Sequence, residues 1–108
     1  MQIDLFYFDG CPFWQQALDN LYNAWAMDGY ELQIHLVKVK SSQEAKKLRF
    51  QGSPSFAFKG QDFWPEQSEA YSTRCRNYQT PLGLESVPTV EMLKRKLLEY
   101  QTKLENKL

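Results

Sequence analysis

An α/β fold in the order βαβαββα, a mixed four-stranded sheet flanked by helices, is predicted by three observations. Short β-forming runs surround Ile3, Ile34 and Phe56 and carry the spacing of strands. Other stretches repeat apolar residues every three or four positions, the spacing of helices. Gly and Pro punctuate the boundaries at "DG", "GSP" and "KG".

From Ile3 to Phe8, Ile3, Leu5 and Tyr7 share one face and Phe6 and Phe8 the other. A strand apolar on both faces belongs inside a sheet. "DG" breaks it, and Pro12 suits a first helical turn, where its missing N–H is not needed. Trp14, Leu18, Leu21 and Trp25 then form one apolar stripe on a helix predicted to end near Gly29. "ELQIHLVKV" is the second strand, with Leu32, Ile34 and Leu36 on one face and Val37 and Val39 on the other. Strand, helix, strand is the pattern of a parallel crossover.

"SSQE" is a capping box, Ser41 accepting the Glu44 N–H while the Glu44 carboxylate reaches back, and it opens a short helix through Phe50 that Gly52 ends. "GSPSFAFKG" gives a proline-led strand with Phe56 and Phe58 on one face, and Gly60 turns the chain into "QDFW" as a fourth, antiparallel strand. Pro65 to Val87 lacks any sustained period and reads as a long connection, functional or hiding a short element. After Pro88, Leu93, Leu97, Tyr100 and Leu104 mark the last helix, with "KLENKL" fraying at its end.

The chain has 108 residues, the size of a single domain spanning 1–108. Its 43% apolar and 15% aromatic content places it among globular proteins. Lys plus Arg equals Asp plus Glu, 13 against 13, so no net field exists to hold nucleic acid. The clusters Lys46, Lys47, Arg49 and Lys94, Arg95, Lys96 stand beside acidic residues and read as solvated helix faces. No apolar run reaches the ~20 residues of a membrane span, and "MQIDLFYF" has no basic leader. A cytoplasmic location is therefore expected, with two cysteines too few for a disulfide framework. Nothing in the sequence specifies the oligomeric state.

A strand, then Cys11 and Pro12 opening a helix, followed well downstream by Gly52-Ser53-Pro54-Ser55 entering a hairpin and a last helix, resembles the thioredoxin and glutaredoxin fold. The likeness is strongest to small bacterial thioredoxin-like proteins with a GCPxW opening and a GSP loop, and it covers nearly all of the chain except Pro65 to Val87. The resemblance implies a cis proline at Pro54 facing Cys11, and a Ser53 backbone offered to an extended substrate. Pro12, Phe13 and Trp14 complete the substrate-facing set. Where dithiol members carry Cys-X-X-Cys, this chain has Trp14 in place of the second cysteine. Either Trp14 simply begins the apolar stripe, or its ring edges a substrate groove with Phe13.

Helix-start amides at Cys11 would favour a thiolate, whereas Asp9 and desolvation by Phe13 and Trp14 oppose it. The net sign stays open. Two routes remain for thiol–disulfide exchange. In one, Cys11 forms a mixed disulfide with a small thiol such as glutathione, and a second external thiol resolves it. In the other, Cys75 in "YSTRCRNY" is the resolving thiol, with Arg74 and Arg76 favouring its thiolate; the competing reading makes Cys75 a small buried hydrophobe.

The leading function is thus a thioredoxin-like thiol redox protein using Cys11, its partners being protein or small-molecule thiols and disulfides, with no bound cofactor. A non-catalytic binding module on the same fold is one alternative. A soft-metal or organomercurial carrier using Cys11 and Cys75 is another. His35 with the two cysteines is a weak zinc signal and reads as structural, and no oxyanion-hole motif supports a cysteine hydrolase.

Overall fold

The computed structural model describes residues 1–25, 31–68 and 70–106. In order, the elements are β1 (Gln2–Tyr7), α1 (Trp14–Ala24), β2 (Gln33–Lys38), α2 (Ser42–Leu48), β3 (Ser55–Phe58), β4 (Gln61–Asp62), β5 (Tyr78–Thr80), β6 (Gly83–Glu85) and α3 (Val90–Asn106). The predicted βαβαββα order is present, with the β5–β6 hairpin added before the last helix. Four strands form one mixed sheet in the order β2-β1-β3-β4. β1 runs parallel to β2 and antiparallel to β3, and β3 pairs antiparallel with β4.

Because β1 is an inner strand, both its faces are used. Ile3 and Leu5 are fully buried and pack with Ala17, Leu21, Phe56, Phe63, Leu93 and Leu97, so α1 and α3 cover this face. Phe6 and Phe8 point the other way and pack against Val39, Ala45 and Phe50, on and around α2. β2 is an edge strand, which leaves Leu36 exposed although Leu32 and Ile34 reach the main core.

Along α1 the buried line is Ala17, Leu21 and Ala24, with Leu18 and Trp25 at its margin. The expected stripe is therefore rotated. Small alanines let the helix approach the sheet, and the bulky rings move to the sides: Trp14 stacks on Tyr7 with centroids 4.3 Å apart. The helix ends at Ala24, earlier than the end expected near Gly29, because Trp25 turns extended while its N–H bonds the Tyr22 carbonyl. Gly29 itself, like Lys107 and Leu108 of the expected frayed terminus, lies outside the described residues.

α2 carries its predicted cap, with the Glu44 N–H donating to Ser41 Oγ at 3.1 Å. The Glu44 carboxylate accepts from the Lys40 N–H at 2.8 Å, one residue before the cap. The helix stops at Arg49, whose φ of 54° is left-handed, and not at Gly52. Gly52 has another duty: at φ 117° a Cβ there would come within 2.9 Å of Arg76 Cβ, so only glycine admits the Arg76 segment. Lys59 and Gly60, with φ of 52° and 80°, make the two-residue turn between β3 and β4. β4 ends at Asp62, sooner than predicted, because Phe63 turns into the core beside Phe56 and Tyr100.

In α3, Leu93, Leu97 and Tyr100 are buried as their spacing predicts. Among the described residues, no helix is long and apolar enough to cross a membrane. Leu97→Ala should lower stability in urea unfolding by about 2–5 kcal/mol, since its site is closed on all sides. Leu84, 70% exposed on β6, is the control: Leu84→Ser should change it by less than about 0.5 kcal/mol.

Candidate dithiol site

The pairing of β1 with β3 sets Ser55 opposite Phe6, so the Gly52–Pro54 loop that precedes β3 arrives beside the segment that follows β1. That segment turns tightly, the Cys11 N–H donating to the Phe8 carbonyl at 3.2 Å. α1 then begins at Trp14, with Phe13 as its N-cap and no side-chain cap. Cys11 thus precedes the helix, and Pro12 lies outside its first turn. The Cys11 thiol donates to the Ser53 carbonyl at 3.4 Å.

Ser53 is also where Cys75 arrives. The two residues form a single parallel bridge, the Ser53 N–H donating to the Arg74 carbonyl at 2.7 Å and the Arg76 N–H to the Ser53 carbonyl at 2.9 Å. Both cysteines are free. Both meet at Ser53, and partial burial, then the neighbouring Cys11 side chain, push the Cys75 thiol up to about 11. Cys75 therefore keeps its proton, the reverse of the activation expected from Arg74 and Arg76.

Those arginines are engaged elsewhere. Arg76 is only 2% exposed. Its Nη1 donates to Ser55 Oγ at 3.0 Å and to Asp62 Oδ2 at 2.9 Å, its Nη2 donates to the Trp64 carbonyl, and its Nε forms an ion pair with Glu66 at 3.4 Å. The guanidinium also lies over the Tyr78 ring, 4.8 Å from the centroid. Arg74 pairs with Glu66 at 3.4 Å. Tyr78 donates its hydroxyl to the Pro54 carbonyl, and burial raises its phenol far above the ordinary range.

These contacts close the site. Cys11 has 0% exposure, whereas Cys75 is exposed, so the expectation that Cys11 meets outside reagents directly is not met. The Arg74–Arg76 segment lies across it. The Ser53–Pro54 bond is cis, and both residues are buried. The Ser53 backbone, expected to receive a substrate, is filled by this chain's own segment. Pro12 and Phe13 are exposed, and Trp14 is half-buried on Tyr7, outside the core cluster. A recess of about 350 Å³ is lined by Phe8, Asp9, Gly10, Lys38, Lys40 and Thr73, with Lys38 held to Asp9 at 2.5 Å and neither cysteine among its walls.

His35 does not join the cysteines. It stands exposed on β2, its Nδ1 3.2 Å from Asp4 Oδ1 on the neighbouring strand. Among the described residues, no three His, Cys, Asp or Glu side chains converge as metal ligands. The residues that sequence reasoning missed are Asp62, Glu66, Arg76 and Tyr78. Their signal is an alternation in which Arg76, Tyr78 and Thr80 are buried while Cys75, Asn77 and Gln79 are exposed. It has the period of a strand without its aliphatic residues. Compared with known proteins, the chain matches no family model, no curated protein and no solved structure.

Alkylation of Cys75 should accelerate about tenfold per pH unit from pH 7 to 10, because only the thiolate reacts and its fraction grows until the pH nears 11. Iodoacetamide kinetics read by peptide mass spectrometry check this, and a plateau below pH 8 would refute it. Arg76→Ala should cost about 3 kcal/mol in urea unfolding, because it strands Asp62 and Glu66 beside a cavity.

Proposed function

We propose that Cys11 and Cys75 form a reversible dithiol–disulfide couple, and that the chain is a thioredoxin-like thiol–disulfide exchange protein whose second thiol comes from a distant loop. The observation that carries this reading is the Ser53–Cys75 bridge, which brings Cys75 to the residue whose carbonyl the Cys11 thiol bonds. Two free thiols in contact need little movement to reach disulfide geometry. A sheet in the order β2-β1-β3-β4, with the Ser53–Pro54 loop beside Cys11, supports the thioredoxin-like assignment.

Exposure gives the order of events. The small fraction of Cys75 that has released its proton to water attacks one sulfur of a partner disulfide and expels the other as a thiolate, so this first step is slow near neutral pH and quickens as the pH rises. Cys11 passes its proton to that leaving group, attacks the Cys75 sulfur and expels the second partner thiol, which takes a proton from water. The partner gains two electrons and two protons, and the chain holds a Cys11–Cys75 disulfide. Two molecules of a small thiol such as glutathione, or one dithiol protein, reverse the reaction. In the nearby recess Lys38 is paired with Asp9, which leaves Lys40 as the lysine lining it that suits a carboxylate of such a thiol. A reducing compartment such as the cytoplasm would return the pair to its dithiol form.

Oxidation of the native protein with diamide should give one Cys11–Cys75 crosslinked peptide pair on mass mapping. With oxidised glutathione, Cys11→Ser should accumulate an adduct on Cys75, whereas Cys75→Ser should remain nearly unmodified because Cys11 is covered. Absence of the crosslink, or fast modification of Cys11 in Cys75→Ser, would sink the proposal and leave a binding module.

A further inference from the structure

Two thiols held together by folding are also a ligand pair, and the surroundings limit what they bind. Cys11 and Cys75 come from separate segments that meet through Ser53, so the pair exists before any ion arrives. No third His, Cys, Asp or Glu joins them among the described residues, and His35 is occupied with Asp4. Zinc requires four ligands in a structural site and three protein ligands in a catalytic one, which this pair does not supply. Soft monovalent ions favour thiolates, and two sulfurs suffice for them. Cys11 bonds the Ser53 carbonyl and Cys75 pairs with the Ser53 backbone, so the two side chains meet at one residue, and two metal–sulfur bonds of about 2.3 Å each can join them.

We infer that Cys11 and Cys75 form an intramolecular, two-coordinate site for one soft monovalent cation, Cu(I) or Ag(I). The site uses the same sulfurs as the exchange chemistry but does not rest on it. Entry is through Cys75, which is exposed, and Cys11 closes the site from below with 0% exposure. On binding, two S–H bonds break, two metal–sulfur bonds form and two protons leave to water, with no electron transferred. The bound unit carries one negative charge at a surface edge, where water screens it through the exposed Cys75. At Cys11 the S–H donated to the Ser53 carbonyl is lost, and the cation replaces its positive end near that oxygen.

Titration of the reduced full-length chain under argon with the coloured Cu(I)–bicinchoninate complex tests this. Wild type should withdraw one Cu(I) per chain, release two protons per ion in unbuffered solution and remain the same size in light scattering. Cys11→Ala and Cys75→Ser should each weaken binding by at least about a hundredfold. Cys75→Ser is the surface change whose fold, checked by circular dichroism, is expected to survive if Cys11→Ala does not. A tenfold excess of Zn(II) should leave the copper in place. The inference is overturned if copper stays with the chelator, if Cys75→Ser binds like wild type, if Zn(II) displaces the ion, or if the ion joins two chains. Should the diamide crosslink form while copper is refused, this inference alone falls; should copper bind while the crosslink fails, the exchange reading falls.

Discussion

The Arg76 guanidinium is almost wholly withdrawn from water, and its partners Asp62, Glu66, Ser55 and the Trp64 carbonyl all come from β3, β4 and the residues just after them. A buried cation tolerates no vacancy in such a set, since each lost partner leaves charge in a poor solvent. The loop carrying Arg76 is therefore fixed to the sheet by charge where it has little apolar surface to bury. Its neighbour Cys75 is fixed with it. The two backbone hydrogen bonds at Ser53 then set Cys75 in register with the buried thiol. Without the arginine, the bridge would be a two-bond contact between loops.

That arrangement explains why the thiols differ. Cys11 is enclosed by the strap above it and by the loop before β3, with a carbonyl as its hydrogen-bond acceptor. Cys75 faces water on one side and Cys11 on the other, so its proton is retained by burial and by its neighbour. The positive charges beside it in the chain are neutralised by Glu66 and Asp62 and lend it no activation. Reactivity here is governed by what the fold does with the arginines, and proximity in sequence misleads.

Residue order is a good guide to the scaffold. The two-faced apolar pattern of Ile3 to Phe8 correctly makes β1 an inner strand, and Ser41 with Glu44 marks the start of α2 to the residue. These features depend on local spacing, which one sequence displays. The β5–β6 hairpin escapes the same reading because its buried positions are Tyr78 and Thr80 while Leu82 and Leu84 face water at 81% and 70% exposure. Its polarity pattern is inverted. At the site, Cys11 stands out by its place after β1, but its enclosure depends on a segment joined only through tertiary hydrogen bonds. The role of Gly52 is hidden for a related reason: it makes room for Arg76, and no local rule points to a residue so far along the chain.

The separation of the two sulfurs in the reduced protein is the most direct measurement, obtainable from their anomalous scattering in a crystal. The account predicts Cys11 Sγ and Cys75 Sγ within about 4 Å of each other beside Ser53, close to the span that a disulfide requires after a small rotation. Sulfurs more than about 7 Å apart, or a Cys75 loop detached from Ser53, would contradict it.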